Sequence, residues 1–169
     1  IARNNKLGEA SALSCLAIIQ GLQVDSDSAM YFLEKAFTVA DEIDDKVLLS
    51  SLFYTKYVIH LFKEELVESI KAVIKCVELA EKYAGPALKN GRLFRLVLVA
   101  MDYHNYSLAK KIIDKIEFEA LSESTKEVYL IRLAELYQRV GKSDSAEFYL
   151  KKSLKSYGGP YTYTALGDY

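Results

Sequence analysis

Apolar residues recur at intervals of three and four positions along almost the whole chain. Leu33, Ala36 and Phe37 show this spacing, and so do Leu93 and Leu96. Such spacing places apolar side chains along one face of an α-helix. The alternation typical of strands is nowhere sustained, and proline occurs only twice. The pattern therefore predicts an all-α fold.

Polar caps, glycines and prolines divide this pattern into helices. Ser26 or Asp27 can cap one helix, and Ser124 with Glu127 forms a capping box before another. Gly141 ends a helix shortly before the next one starts. The predicted helices cover residues 4–22, 27–43, 46–62, 65–83, 88–103, 106–118, 124–140, 144–157 and 160 to the end.

The segment GPALKNG, residues 85–91, is predicted to connect two helices. Pro86 follows Gly85 and closes the helix that contains ELAEKYA. The segment has Gly, Lys and Asn but lacks the GKS ending of a phosphate-binding loop. We therefore expect a connection without a ligand.

The even-numbered helices repeat one another. A small residue opens each, at positions 29, 69, 109 and 146, with spacings of 40, 40 and 37 residues: Ala29, Ser69, Ala109 and Ala146. Residues of similar character follow four and seven positions later: Leu33, Val73, Ile113 and Leu150, then Ala36, Cys76, Ile116 and Ser153. Small residues let two helix axes approach closely, so these positions are predicted to be buried.

The fourth unit carries the most specific motif. Leu133 and Ala134 precede the aromatic Tyr137, the turn residue Gly141 and the small residue Ala146. At these residues the chain resembles the tetratricopeptide repeat family. The resemblance implies a right-handed α-solenoid of antiparallel helix hairpins.

The other units depart from that family's pattern. Their periods exceed 34 residues, Glu64 and His104 replace the turn glycine, and Lys56 and Tyr57 occupy its Leu and Gly positions. They are similar to the degenerate repeats of bacterial regulators and sensors. The prediction is one array over 1–169, with units at about 10–44, 45–85, 88–120 and 124–158 and a partial unit at 160–169. Since the chain starts without Met and stops in what resembles an unfinished helix, we expect a piece of a longer protein.

Charge and apolar runs exclude several classes. Lys and Arg number 22 against 23 acidic residues, without a basic run, which argues against nucleic-acid binding. The most apolar stretch, 47–62, is too short and too interrupted to insert in a membrane. Cys15 and Cys76 are interpreted as small buried apolar residues. The compartment stays open, with the cytoplasm favoured.

The sequence lacks a catalytic constellation. It has no HExxH, CxxC, nucleophile elbow or paired carboxylates beside a base, so we expect neither an enzyme nor a cofactor. His60 and His104 are interpreted as partly exposed histidines near loops. A metal site there would have only Asp102 as a further ligand, so none is predicted.

The resemblance also implies where a partner would bind. In that family, the first helix of each hairpin lines the concave groove. The groove residues carried over are Tyr54, Val58, Phe62, Phe94, Leu98, Met101, Gln138 and Arg139. The Lys, Asn and Arg clamp that holds a peptide carboxylate in chaperone cochaperones is absent. Either this apolar groove binds a protein or peptide, or packing within the array or a flanking segment covers it.

The resulting prediction is a non-catalytic protein or peptide interaction module within a larger protein. The alternative is a ligand- or peptide-sensing regulatory segment attached to a DNA-binding or signalling domain. A catalytic domain with its active residues elsewhere in the parent protein also stays open. So does self-association through the truncated fifth repeat.

Overall fold

The computed structural model describes residues 2–23 and 25–157, and within these ranges the chain is helical without strands. The helices are α1 (Ala2–Leu22), α2 (Ser26–Glu42), α3 (Lys46–Phe62), α4 (Leu66–Tyr83), α5 (Pro86–Asp102), α6 (Tyr106–Ile113), α7 (Glu123–Arg139) and α8 (Ser143–Ser156). A 3₁₀ turn spans Phe118–Ala120. The all-α prediction is confirmed, and the predicted helix from 160 onward lies outside the described residues.

The chain forms two compact units, residues 1–85 and 86–169. In the first unit α1 packs on α2, α3 packs on α4, and α3 also packs on α1 and α2. In the second unit α5 packs on α6, α7 packs on α8, and α7 also contacts α5 and α6. Each unit is thus a set of packed neighbouring helices, compatible with a helical repeat. The single array over 1–169 stays a prediction.

The repeated positions lie in the cores of the two units. All four small residues that align the repeat are buried, and Ala29, Ala109 and Ala146 are completely inaccessible. The residues four and seven positions after each of them are buried as well. The predicted burial at spacings of 40, 40 and 37 residues is therefore confirmed.

The same turn follows α3, α5 and α7, and it also follows α2, where Asp44 has φ of 49° and the Asp45 N–H donates to the Ala40 carbonyl at 3.2 Å. Glu64, His104 and Gly141 adopt left-handed backbone conformations with φ of 57°, 57° and 74°. In each of these three turns, the N–H of the residue after the left-handed one donates to the carbonyl five residues earlier, at N···O distances of 2.8–2.9 Å. The three bonds run from Glu65 to His60, from Asn105 to Ala100 and from Lys142 to Tyr137. This hydrogen bond is that of a Schellman C-cap, which usually has glycine at the left-handed position. Glu64 and His104 thus occupy the turn position that Gly141 occupies in the fourth unit.

Helix α6 ends at Ile113, five residues before its predicted end. The fully buried Asn90 of α5 explains the difference. Its Nδ2 donates to the Glu117 carbonyl at 3.1 Å, and its Oδ1 accepts from the Glu117 N–H at 3.4 Å. The backbone at Glu117 is therefore held by a side chain of α5 and leaves the helix.

The interpretation of GPALKNG as a connection is wrong, because Pro86 begins α5 and residues 86–91 are helical. Proline suits the first turn of a helix, where its missing N–H would have no helical partner. Two caps also differ from the prediction. Asp25 caps α2 through the Ser28 N–H at 3.1 Å, and Ser122 caps α7.

Candidate functional site

Helices α1 and α3 of the first unit lie side by side. The Ser14 and Thr55 hydroxyl oxygens are 2.8 Å apart in a hydrogen bond that joins the two helices. Two turns further along α1, a Cβ added at Gly21 would lie 3.4 Å from the Ile59 side chain. The two helices are therefore in direct contact, and a partner of this region would lie on their surface.

A row of side chains at helical spacing runs along each of these helices, and the row on α1 includes Ser14, which contacts α3. The two rows form what we call the α1–α3 surface, and each residue of one row stands 40 positions from its counterpart in the other. The pairs are Leu7 and Val47, Ser11 and Ser51, Ser14 and Tyr54, Ile18 and Val58, and Leu22 and Phe62.

Exposure follows the same order in both rows. At one end Leu7 and Val47 are 41% and 37% exposed, and at the other end Leu22 and Phe62 are 57% and 52% exposed. Of the residues between these ends, Ser11 is exposed and the other five are half-buried. Apolar side chains therefore reach solvent at both ends of the surface.

The α1–α3 surface carries no charged side chain at any of its ten positions. Its polar atoms are hydroxyls, most of which have partners within the helices. Ser11 donates to the Leu7 carbonyl at 2.9 Å, Ser51 donates to the Val47 carbonyl at 3.4 Å, and Ser14 is bonded to Thr55. The surface therefore offers mainly apolar contact.

The first unit holds three of the eight residues predicted to bind a partner. Tyr54, Val58 and Phe62 are four residues apart on α3, so they lie in one row of the α1–α3 surface. The ring of Tyr54 also lies 5.8 Å from that of Tyr57, a buried neighbour. These three residues share one row of α3, and their role in binding a partner stays a prediction.

The other five predicted residues lie in the second unit, in different environments. Phe94 and Met101 are buried, and the Phe94 ring lies 5.7 Å from that of Tyr129. Burial raises the pKa of Tyr129 to about 12. Leu98 is half-buried on α5. Phe94 and Met101 thus belong to the core, and they have little surface to offer a partner.

Gln138 and Arg139 are exposed at the end of α7. The same helix carries an ion pair at 2.7 Å between Arg132 and Glu135. The end of α7 that carries these two residues is therefore polar, whereas the α1–α3 surface ends in apolar side chains.

His60 is buried, and its interpretation as a partly exposed histidine is wrong. Its Nδ1 lies 2.6 Å from Glu65 Oε2, and its buried Nε2 has no hydrogen-bond partner among the described residues. Lys63 Nζ donates to the same carboxylate at 2.8 Å. The hydrogen bonds from Lys63 and, second, His60 lower the pKa of the Glu65 carboxyl.

The repeat register offers only a partial signal for this burial, because the equivalent residues Gln20 and Tyr137 are half-buried. His60 stands nine residues before Ser69, as the buried Ala100 does before Ala109. His104, by contrast, is exposed, and its Nδ1 lies 3.0 Å from the Tyr106 hydroxyl.

The two cysteines differ in environment. Cys76 is buried as predicted, with its Sγ 3.6 Å from the Ser50 hydroxyl, but Cys15 is exposed. Cys15 lies on α1, which packs on α2 and α3 through other residues such as the buried Ala17. Neither cysteine forms a disulfide.

Neither a group of potential metal ligands nor a helix suited to crossing a membrane occurs in residues 2–23 and 25–157. No three His, Cys, Asp or Glu side chains in these ranges are grouped so that they could hold a metal ion. None of the helices described in these ranges combines the length and apolar character that a membrane span requires.

The chain matches no protein-family model and no curated protein. The structural assignment therefore rests on the described helices and on the repeated core positions. They show an all-α arrangement of packed neighbouring helices that is compatible with a helical repeat.

Proposed function

We propose that the chain is a non-catalytic protein or peptide interaction module built as a tetratricopeptide-like α-solenoid within a larger protein. Two observations support the repeat. Buried positions recur at spacings of 40, 40 and 37 residues, and one left-handed turn recurs five residues before the small residue in the last three units. Repeats of this kind present extended surfaces on which partners bind.

The α1–α3 surface carries the proposal. Its ten positions are uncharged, yet the apolar side chains at both ends are between 37% and 57% exposed. Contiguous exposed apolar surface on a soluble domain usually marks a site of interaction. Aromatic side chains are common anchors at such sites, and Tyr54 and Phe62 supply them here.

A peptide display experiment tests this function. The whole 169-residue chain is screened against a random linear peptide library, and the affinities of the selected peptides are measured by calorimetry for wild type, Phe62→Ser and Phe148→Ser. Phe148 is the matched control, because it is an exposed phenylalanine of the second unit, 61% accessible. We expect Phe62→Ser to weaken binding at least tenfold, about 1.4 kcal/mol, and Phe148→Ser to leave it unchanged.

Circular dichroism of both variants checks that the fold is intact, which is expected because Phe62 ends α3 and is half exposed. Selected peptides that bind Phe62→Ser as tightly as wild type would refute the assignment. So would a screen that yields no binding peptide.

A further inference from the structure

The dipeptide Asn90–Gly91 places a chemically labile sequence at a buried position of α5. Of the four asparagines in the chain, only Asn90 is followed by glycine. An asparagine before glycine loses its side-chain amide nitrogen most readily, because glycine has no Cβ to hinder attack by its own backbone nitrogen. We propose that Asn90–Gly91 is a deamidation site that the folded second unit protects, and that its reaction makes opening of this unit irreversible.

The reaction requires only water besides the chain itself. The backbone nitrogen of Gly91 loses its proton and attacks Cγ of Asn90, so that a new N–Cγ bond forms. The Cγ–Nδ2 bond then breaks, and the leaving nitrogen takes up protons and departs as ammonia. Water opens the resulting succinimide ring at one of its two carbonyl carbons. The product at position 90 is therefore either aspartate or isoaspartate.

The fold holds both reacting groups in other bonds. Gly91 lies beyond the first turn of α5, where a helix bonds each N–H to the carbonyl four residues earlier. Asn90 is completely inaccessible to solvent, and both ends of its amide are bonded to the Glu117 backbone, at 3.1 and 3.4 Å. Rotation of Cγ toward the Gly91 nitrogen would break both of these bonds, so the reaction requires α5 to open first.

Deamidation removes a donor that the closed unit needs. Aspartate at position 90 has no N–H, so the Glu117 carbonyl would lose its bond and face a second acceptor. Closing α5 would also bury a carboxylate where Asn90 has no exposed surface, which is costly. Isoaspartate adds one methylene to the main chain and interrupts the regular geometry of the helix. Either product therefore opposes closing of the second unit.

The rate of deamidation in the folded and unfolded chain tests the protection. The whole 169-residue chain is kept in mildly alkaline buffer, with and without urea that unfolds it, and mass spectrometry of its peptides measures the fraction deamidated at Asn90. We expect the folded chain to react slower by on the order of a hundredfold or more, because only its rarely populated open form reacts. Equal rates in the two conditions would overturn the protection.

Matched leucine variants test whether the reaction proceeds through opening. Leu93→Ala removes a buried side chain of α5 and should speed deamidation in the absence of urea at least tenfold, since it raises the open population. Leu108→Ala is the control, because Leu108 is exposed on α6, and it should leave the rate unchanged. A rate that does not respond to Leu93→Ala would show that opening is not required.

Gly91→Ala tests the attacking atom. A Cβ at Gly91 would meet no atom within 4 Å, so the variant keeps the fold. In urea it should deamidate severalfold more slowly than wild type, because the added Cβ hinders the backbone nitrogen. Equal rates for the two unfolded chains would exclude attack by that nitrogen and overturn the proposed site.

Refolding after increasing times in urea tests irreversibility. The fraction of wild-type chains that regain the native melting transition, followed by circular dichroism, should fall as deamidation at Asn90 proceeds. Gly91→Ala should retain its recovery for severalfold longer. The variant Asn90→Asp, which makes one product directly, should melt at a lower temperature than wild type. Deamidated chains that recover fully, or Asn90→Asp melting as wild type does, would overturn the irreversible step.

Discussion

The conformations of single turn residues show how far the repeat extends beyond its recognisable motif. Gly141 adopts the left-handed conformation without steric cost, but Glu64 and His104 adopt it with a Cβ. That conformation is disfavoured for residues with a side chain, and among them Asn, Asp and His tolerate it best. The turn therefore recurs in two units that lack the glycine of the fourth unit.

Reciprocal substitutions at two turns test this interpretation. Gly141→Ala should lower the free energy of unfolding by about 1 kcal/mol, because a Cβ is introduced at positive φ. Glu64→Gly should raise it by about 0.5 kcal/mol, since relief of strain exceeds the added entropy of an unfolded glycine. Urea denaturation followed by circular dichroism measures both changes. If Glu64→Gly destabilises the protein while Gly141→Ala does not, the two turns are not equivalent.

At the scale of elements, local sequence determined most helix boundaries and missed those set by distant contacts. The predicted helices within the described residues agree with the observed ones to within two residues, except at the end of α6. That end depends on Asn90, which bonds the backbone of Glu117, 27 residues away in sequence. Pro86 was assigned to the wrong helix because Gly-Pro marks a boundary without showing on which side proline lies.

The small residue of the third unit allows a direct test of helix packing. Ala109 is completely buried on α6, so Ala109→Glu places a large charged side chain in the core. We expect a loss of about 3 kcal/mol or more, seen as a lower melting temperature. Leu108→Glu is the matched control, because the neighbouring Leu108 is 41% exposed, and it should cost less than 1 kcal/mol. Equal melting temperatures for Ala109→Glu and wild type would remove the physical basis of the repeat alignment.

At the scale of the whole molecule, equivalent repeat positions do not share one environment. Phe94 stands 40 residues after Tyr54, yet Tyr54 is half-buried and Phe94 is buried beside Tyr129 of α7. The ring of Phe118 also lies 5.5 Å from that of Tyr129. The predicted binding residues were carried over by repeat position. Position alone could not distinguish a surface residue of one unit from a core residue of the other.

The first unit has a core of its own. Leu33, Leu52 and Ile59 are fully buried and belong to one cluster that contains only residues of the first unit. A compact unit that buries its own apolar cluster is able to fold alone. We therefore expect residues 1–85, produced without the rest of the chain, to be helical and to unfold in one cooperative transition.

Leu52→Ala in this fragment is the control for specific packing. It removes a fully buried side chain and should cost about 3 kcal/mol, measured by urea denaturation. A fragment that melts gradually, or whose stability does not respond to Leu52→Ala, would show that its core is not fixed without the second unit. A cooperative fragment would instead carry the complete α1–α3 surface, because all ten of its residues lie between positions 7 and 62. Peptides selected on the whole chain should then bind the fragment with the same dependence on Phe62.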